Sequence, residues 1–118
     1  MSIEVAFSRL DPACRSASGR AVAVIDVIRA TTTITMALHH GCAGVIPVRT
    51  LSEARAVARR LGGGALLAGE RRADKAVGFE LGNSPAEYGR ERVKGRVVVL
   101  TTTNGTRAFQ AAPGARAI

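Results

Sequence analysis

Two stretches of the chain set hydroxyl side chains directly behind an apolar run. In "VAVIDVIRATTTITMAL" (22–38) the polar set is Asp26, Arg29, Thr31, Thr32 and Thr33; in "VVVLTTTNGTRAF" (97–109) it is Thr101, Thr102, Thr103, Asn104, Gly105 and Thr106. A carboxylate at the end of a strand, beside hydroxyls and a guanidinium, can hold Mg²⁺ or act as a base while the arginine grips an oxyanion. Threonine hydroxyls turn to fit phosphate oxygens, and a helix start offers unpaired amides to an anion. Gly105 lets a ligand come close to the backbone. The plainer alternative stays open: threonine favours strands and caps helices with no ligand present, and Asp26 can simply pair with Arg29. A third segment, "GERRADKAVGFELGNSP" (69–85), adds Glu70, Arg71, Glu80 and Asn83 in a long loop. Long loops inside compact domains are usually functional or disordered, and the glycines and capped exit of this one favour order.

The elements that must position these residues follow from periodicity. Residues 3–7 alternate weakly and predict a first strand. "AVAVID" (21–26) is apolar throughout and predicts a strand buried on both faces. A helix is expected over 32–40, stopped by Gly41, then a short strand at 44–48 in which Pro47 marks a strand end or an edge. Thr50 and Glu53 form a capping box opening a helix with Leu51, Ala54, Val57, Ala58 and Leu61 on one face. Strands are expected at 65–68 and 96–101, a short helix from Ser84-Pro85, and a helix over 104–112 capped by Thr103 or Asn104. "ARAI" at the end reads as a strand barely begun. Asn104-Gly105 is also a hairpin signal, but "TRAFQAA" suits a helix better than a strand. Strands alternating with helices predict an α/β fold.

Composition narrows the function. The 118 residues are 47% hydrophobic and 22% charged, the balance of a single small globular domain. Arginine supplies 15 of the 17 basic residues behind a net charge of +8, but they are scattered, and one Tyr and three Phe give little for base stacking. Nucleic acid is therefore not the expected partner. No apolar run spans a bilayer and no signal-peptide order opens the chain, so membrane association is not expected and cytoplasmic residence is. Cys14 and Cys42 read as free thiols; His39 and His40 read as structural residues of a helix's last turn.

Taken together, "VIDVIRATTTI", "VIPV", "GER", "GFELGNSP" and "VKGRVVVLTTTNGTRA", in this order, resemble the 2-phosphosulfolactate phosphatase family from Ile3 onward. The resemblance implies a three-layer α/β/α fold with a mostly parallel or mixed sheet, of which residues 1–118 form the N-terminal portion of one phosphatase-like domain, truncated at its C-terminal end. A sheet so truncated is expected to expose an unpaired edge and apolar faces. It also implies Mg²⁺-dependent hydrolysis of 2-phospho-3-sulfolactate to 3-sulfolactate and phosphate, as in coenzyme M biosynthesis. Asp26, Arg29, Glu70 and Arg71 are then the catalytic candidates, and Asp26, Glu70 and Glu80 the metal candidates. Thr31, Thr32, Thr33, Asn83, Ser84, Thr101, Thr102, Thr103, Asn104, Gly105 and Thr106 are the substrate-binding candidates. Glu80 stands where the family commonly has aspartate. Other expectations stay open: a different small phosphorylated acid as substrate, a non-catalytic anion- or nucleotide-binding module, and a homo-oligomeric state.

Overall fold

The computed structural model describes residues 2–118. Its centre is β4 (Val97–Thr101), a run of β-branched and leucine side chains with no exposure at Val98, Val99 and Leu100. Such a strand needs cover on both faces and partners on both edges, and it has them. β1 (Gly44–Pro47) pairs with it in parallel on one side, with Val45 opposite Val98. β2 (Leu66–Arg71) pairs in parallel on the other, with Leu67 opposite Val99. β3 (Asp74–Lys75) adds antiparallel to β2, giving the order β1-β4-β2-β3.

The alternation of β4 sorts the helices into layers. Val98 and Leu100 face a core that takes Ala37 from α1 (Ala30–His39), Val93 from α3 (Arg90–Val93), and Leu81 and Tyr88. Val99 points the other way, onto Ala54 of α2 (Leu51–Arg60), Val48 and Phe79. The architecture is thus three-layered with a mixed, mostly parallel sheet, as the resemblance implied. α4 (Gly105–Phe109) leaves β4 without a hairpin. Pro47 ends β1 on the sheet's edge, where its missing donor costs nothing. No helix among the described residues is long and apolar enough to cross a membrane.

Several expectations change. The segment 3–7 forms no strand, and 21–26 forms none either, making only one bridge, Ala21 to Ala117 of the "ARAI" end. A ladder requires a neighbour, and none of the described residues reaches the backbone of Ala23, Val24 or Ile25. The segment is consequently not buried on both faces: Ile25 is 82% exposed. β2 runs further than expected and carries Glu70 and Arg71, so those residues sit on a strand rather than in a loop. The capping box of α2 is displaced: Glu53 N–H donates to Thr50 Oγ1 at 3.0 Å, but the Glu53 carboxylate accepts from Arg49 rather than Thr50. Leu61 lies past the end of α2 and is 44% exposed. Ser84 makes no side-chain cap for the 3₁₀ turn Pro85–Glu87.

Candidate active site

Parallel pairing brings the carboxyl ends of β1, β4 and β2 to one edge, where α/β sheets bind ligands. The central exit, from β4 into α4, is sewn by two threonines. Thr106 N–H donates to Thr102 Oγ1 (3.0 Å), and Thr102 N–H donates to Thr106 Oγ1 (3.1 Å). Asn104 stands at the N-cap of α4, one of the two positions expected, but makes no side-chain cap bond; the Thr102 hydroxyl takes up the Thr106 amide in its place. The turn is sharp enough to bring the amide of the helix's second residue, Thr106, over the residue just past the strand, Thr102. Thr102 and Thr106 are buried, and their hydroxyls are committed to this exchange.

Thr103 is committed elsewhere. Its amide donates to Glu70 Oε1 at 2.6 Å and its hydroxyl to Glu70 Oε2 at 3.1 Å, while Ala73 N–H donates to Oε2 at 2.9 Å. Glu70 is 7% exposed. Burial pushes its pKa up, but the amides of Thr103 and Ala73, the Thr103 hydroxyl and the neighbouring Arg71 charge outweigh this and hold it below the usual carboxylate value. Arg71 lies across the strand ends: Nη1 donates to Glu70 O (2.6 Å), and Nη2 to Thr101 Oγ1 (2.8 Å) and Arg49 O (3.1 Å). Arg49, just beyond β1, also reaches Gln110 with its Nε. Sequence reasoning missed Arg49 and Gln110. The signal for Arg49 was its place immediately after a strand, on the same edge as Thr101.

The first junction meets the second at Gly105. A Cβ there would stand 2.3 Å from Ala30 Cβ and 2.8 Å from Asp26 Oδ2, so only glycine admits the start of α1 this close. Thr31 Oγ1 accepts from Asp26 N–H (2.9 Å) and donates to Asp26 O (2.7 Å); Thr32 donates to Val27 O (2.7 Å) and Thr33 to Asn83 O (3.0 Å). All three hydroxyl protons thus go to backbone carbonyls, bracing the loop rather than facing a ligand. Asp26 and Arg29 form no ion pair; Arg20 with Glu4 is the only one among the described residues. The half-buried Arg29 guanidinium and Asp26 Oδ1 make no hydrogen bond to a described residue, whereas Asp26 Oδ2 accepts from Ala30 N–H at 3.4 Å. Asn83 is buried, and its Oδ1 also has no partner among the described residues. A cleft of about 300 Å³ opens beside Asp26, bounded by Ser8, Arg9, Val24, Asn104 and Gly105.

Glu80 does not join this set. Its Oε2 accepts from Leu67 N–H at 2.9 Å, three residues before Glu70 along β2, and a strand advances about 3.3 Å per residue. Among the described residues no three His, Cys, Asp or Glu side chains converge as metal ligands. The donor set therefore does not fit a three-carboxylate metal centre. At the strand-end edge Asp26 keeps one carboxylate oxygen, Oδ1, without a described partner. His40 Nδ1 lies 2.7 Å from Tyr88 O, a structural use.

Residues 10–118 match the family described as 2-phosphosulpholactate phosphatase. The chain is 50% identical over 97 residues to a probable 2-phosphosulfolactate phosphatase of Thermotoga petrophila, covering 82% of this chain and 41% of that protein. A protein of the same description from Clostridium acetobutylicum is 42% identical over 118 residues, covering 100% of this chain and 50% of its own length. A third, from Symbiobacterium thermophilum, is 50% identical over 105 residues, covering 88% and 45%. The chain spans about half the length of these relatives or somewhat less. The family match takes in both threonine junctions and the segment between them, and the chain belongs to the 2-phosphosulfolactate phosphatase family.

Proposed function

We propose that a protein of the relatives' full length, in which this chain forms the matched part, is a cytoplasmic Mg²⁺-dependent phosphatase. Its reaction is hydrolysis of 2-phospho-3-sulfolactate to 3-sulfolactate and phosphate, a step of the coenzyme M type. Family membership supports the reaction class. The observation that supports the assignment to this edge is that Asp26 Oδ1, beside the cleft, and the Arg29 guanidinium, three residues on, are both without a described hydrogen-bond partner.

In the reaction a water oxygen bonds to phosphorus, the ester P–O bond breaks, and the departing alkoxide takes a proton. Mg²⁺, when bound, would be held by Asp26 and would polarise the phosphoryl oxygens. In the alternative role, with the ion held elsewhere, the Asp26 carboxylate would accept the proton of the attacking water. Arg29 binds an oxyanion of the substrate through its planar fork of donors. Asn83, whose buried Oδ1 has no described partner, is a further candidate for a polar contact to the substrate. Glu70 and Arg71 act as positioning residues, since their bonds run to Thr103, Thr101 and Arg49.

The test is phosphate release from 2-phosphosulfolactate by the full-length protein, with Mg²⁺ and with chelator. Mg²⁺-dependent release is expected, and Asp26→Asn is expected to lower kcat/KM by on the order of 10²–10⁴ while circular dichroism stays unchanged. Chelator-resistant turnover would remove Mg²⁺ from the reading. Binding without turnover would reduce the edge to an anion-binding site, and turnover only of another phosphorylated acid would replace the substrate.

A further inference from the structure

Beside the cleft at Asp26 lies an apolar surface that the described residues leave open. Ile3, Val5, Phe7 and Leu10 are 64–93% exposed, and Ile25, Val27 and Ile28 are 69–84% exposed. The two segments that carry them border the same cleft, Leu10 on one side and Val24 and Ile25 on the other. They are also held: Glu4 pairs with Arg20 and accepts from Ser16 Oγ at 3.2 Å, and 20–22 is hydrogen-bonded to Ala117 and Arg116. What they lack is a ladder. Val22 N–H donates to Ala117 O, and Asp26 is tied to Thr31, but the backbone amides and carbonyls of Ala23, Val24 and Ile25 meet no described partner.

A strand-length, mostly apolar run whose middle backbone is unpaired and whose side chains are exposed is a template for another strand. Extended segments seat added strands through main-chain hydrogen bonds, with alternate side chains entering the apolar face. The length of the relatives says where such a strand comes from. The matched region is 41–50% of each, so they carry a further stretch of polypeptide about as long as this one.

We infer that residues 21–26 are a latent sheet strand, and that its partner is a β-strand supplied by the part of the family-length polypeptide outside the matched region. Docking covers Ile25, Val27 and the 3–10 segment, and closes the cleft on the side where Asp26 ends the strand. The inference rests on family membership and on exposed backbone, and is independent of the reaction proposed above.

Amide hydrogen exchange tests it without any activity assay. The samples are the 118-residue chain and a chimera in which this chain replaces the matched region of the Clostridium acetobutylicum relative, each at two concentrations. The amides of Ala23, Val24 and Ile25 are expected to exchange rapidly in the short chain and to slow by on the order of a hundredfold or more in the monomeric chimera. Slowing that appears in the short chain as concentration rises, with a matching dimer by light scattering, would overturn the inference in favour of a second copy. Rapid exchange in both proteins would overturn it outright. As a second readout, Ile25→Asp is expected to leave the short chain's melting temperature unchanged and to lower the chimera's; equal effects in both would count against a covered strand.

Discussion

Glu70 is a buried acid whose two oxygens receive three donors, two of them backbone amides from different elements. Its charge is therefore structural first: it fixes Thr103, the residue between the Thr101 hydroxyl that Arg71 holds and the Asn104-Gly105 pair at the cleft. Because the folded state lowers its pKa from the ordinary value of 4.5, the unfolded chain binds more protons in the window just below that value. Stability then rises with pH there; Glu70's contribution is fully present above about 4.5 and is lost as pH falls through the lower folded pKa. Urea unfolding of the chain between pH 3 and 6 should show this loss. Glu70→Gln should remove it, at a cost of about 1–3 kcal/mol near neutrality, since an amide cannot accept from all three donors. A pH slope identical in the variant would mean other carboxylates produce the acid sensitivity.

At the scale of elements, the hairpin that follows Glu70 carries the strain. Arg72 and Ala73 have φ of +55° and +71°, the left-handed values a two-residue turn between β2 and β3 demands. A residue with a Cβ pays about 1–2 kcal/mol in that region, whereas glycine loses about 0.4–1 kcal/mol more in chain entropy on folding. Ala73→Gly should therefore stabilise the chain by about 0.5–1 kcal/mol, seen as a higher urea midpoint with an unchanged slope, while keeping the amide that Glu70 accepts. The same turn shows why part of the site was hidden in the sequence. Arg-Ala gives no turn signal, so β2 reads as stopping at Ala68, and Glu70 and Arg71 read as loop residues. β4 and its exit were legible because five β-formers run into a good helix sequence. "AVAVID" misleads for the opposite reason: its composition states the burial a strand requires, and the described residues do not provide the partner. That the Thr102 hydroxyl and not the Asn104 side chain takes up the Thr106 amide was not legible either, since it depends on the turn's tightness and not on residue preference.

At the scale of the whole molecule, the net charge of +8 on these 118 residues would, on the function proposed above, act on an anionic substrate before any contact forms. Its reach is set by salt: the Debye length falls from about 30 Å at 0.01 M to about 8 Å at 0.15 M. Arg29 belongs to the site junction, while Arg59 and Arg60 end α2 at the opposite edge of the sheet. α2 starts beside the β1 exit and runs ten residues, about 15 Å, away from it. The two kinds of arginine should therefore separate by ionic strength. In the full-length phosphatase, replacing both Arg59 and Arg60 by Glu lowers this chain's formal charge from +8 to +4. It should reduce kcat/KM severalfold at 0.01 M salt and leave it nearly unchanged at 0.15 M. Arg29→Gln should reduce it at both salts, because a guanidinium in contact with an oxyanion is screened far less than one a helix length away. A loss on Arg29→Gln that disappears at 0.15 M would make Arg29 one more member of the surface field, and the oxyanion contact would then have to come from another residue of the edge, with Arg71 the next to test.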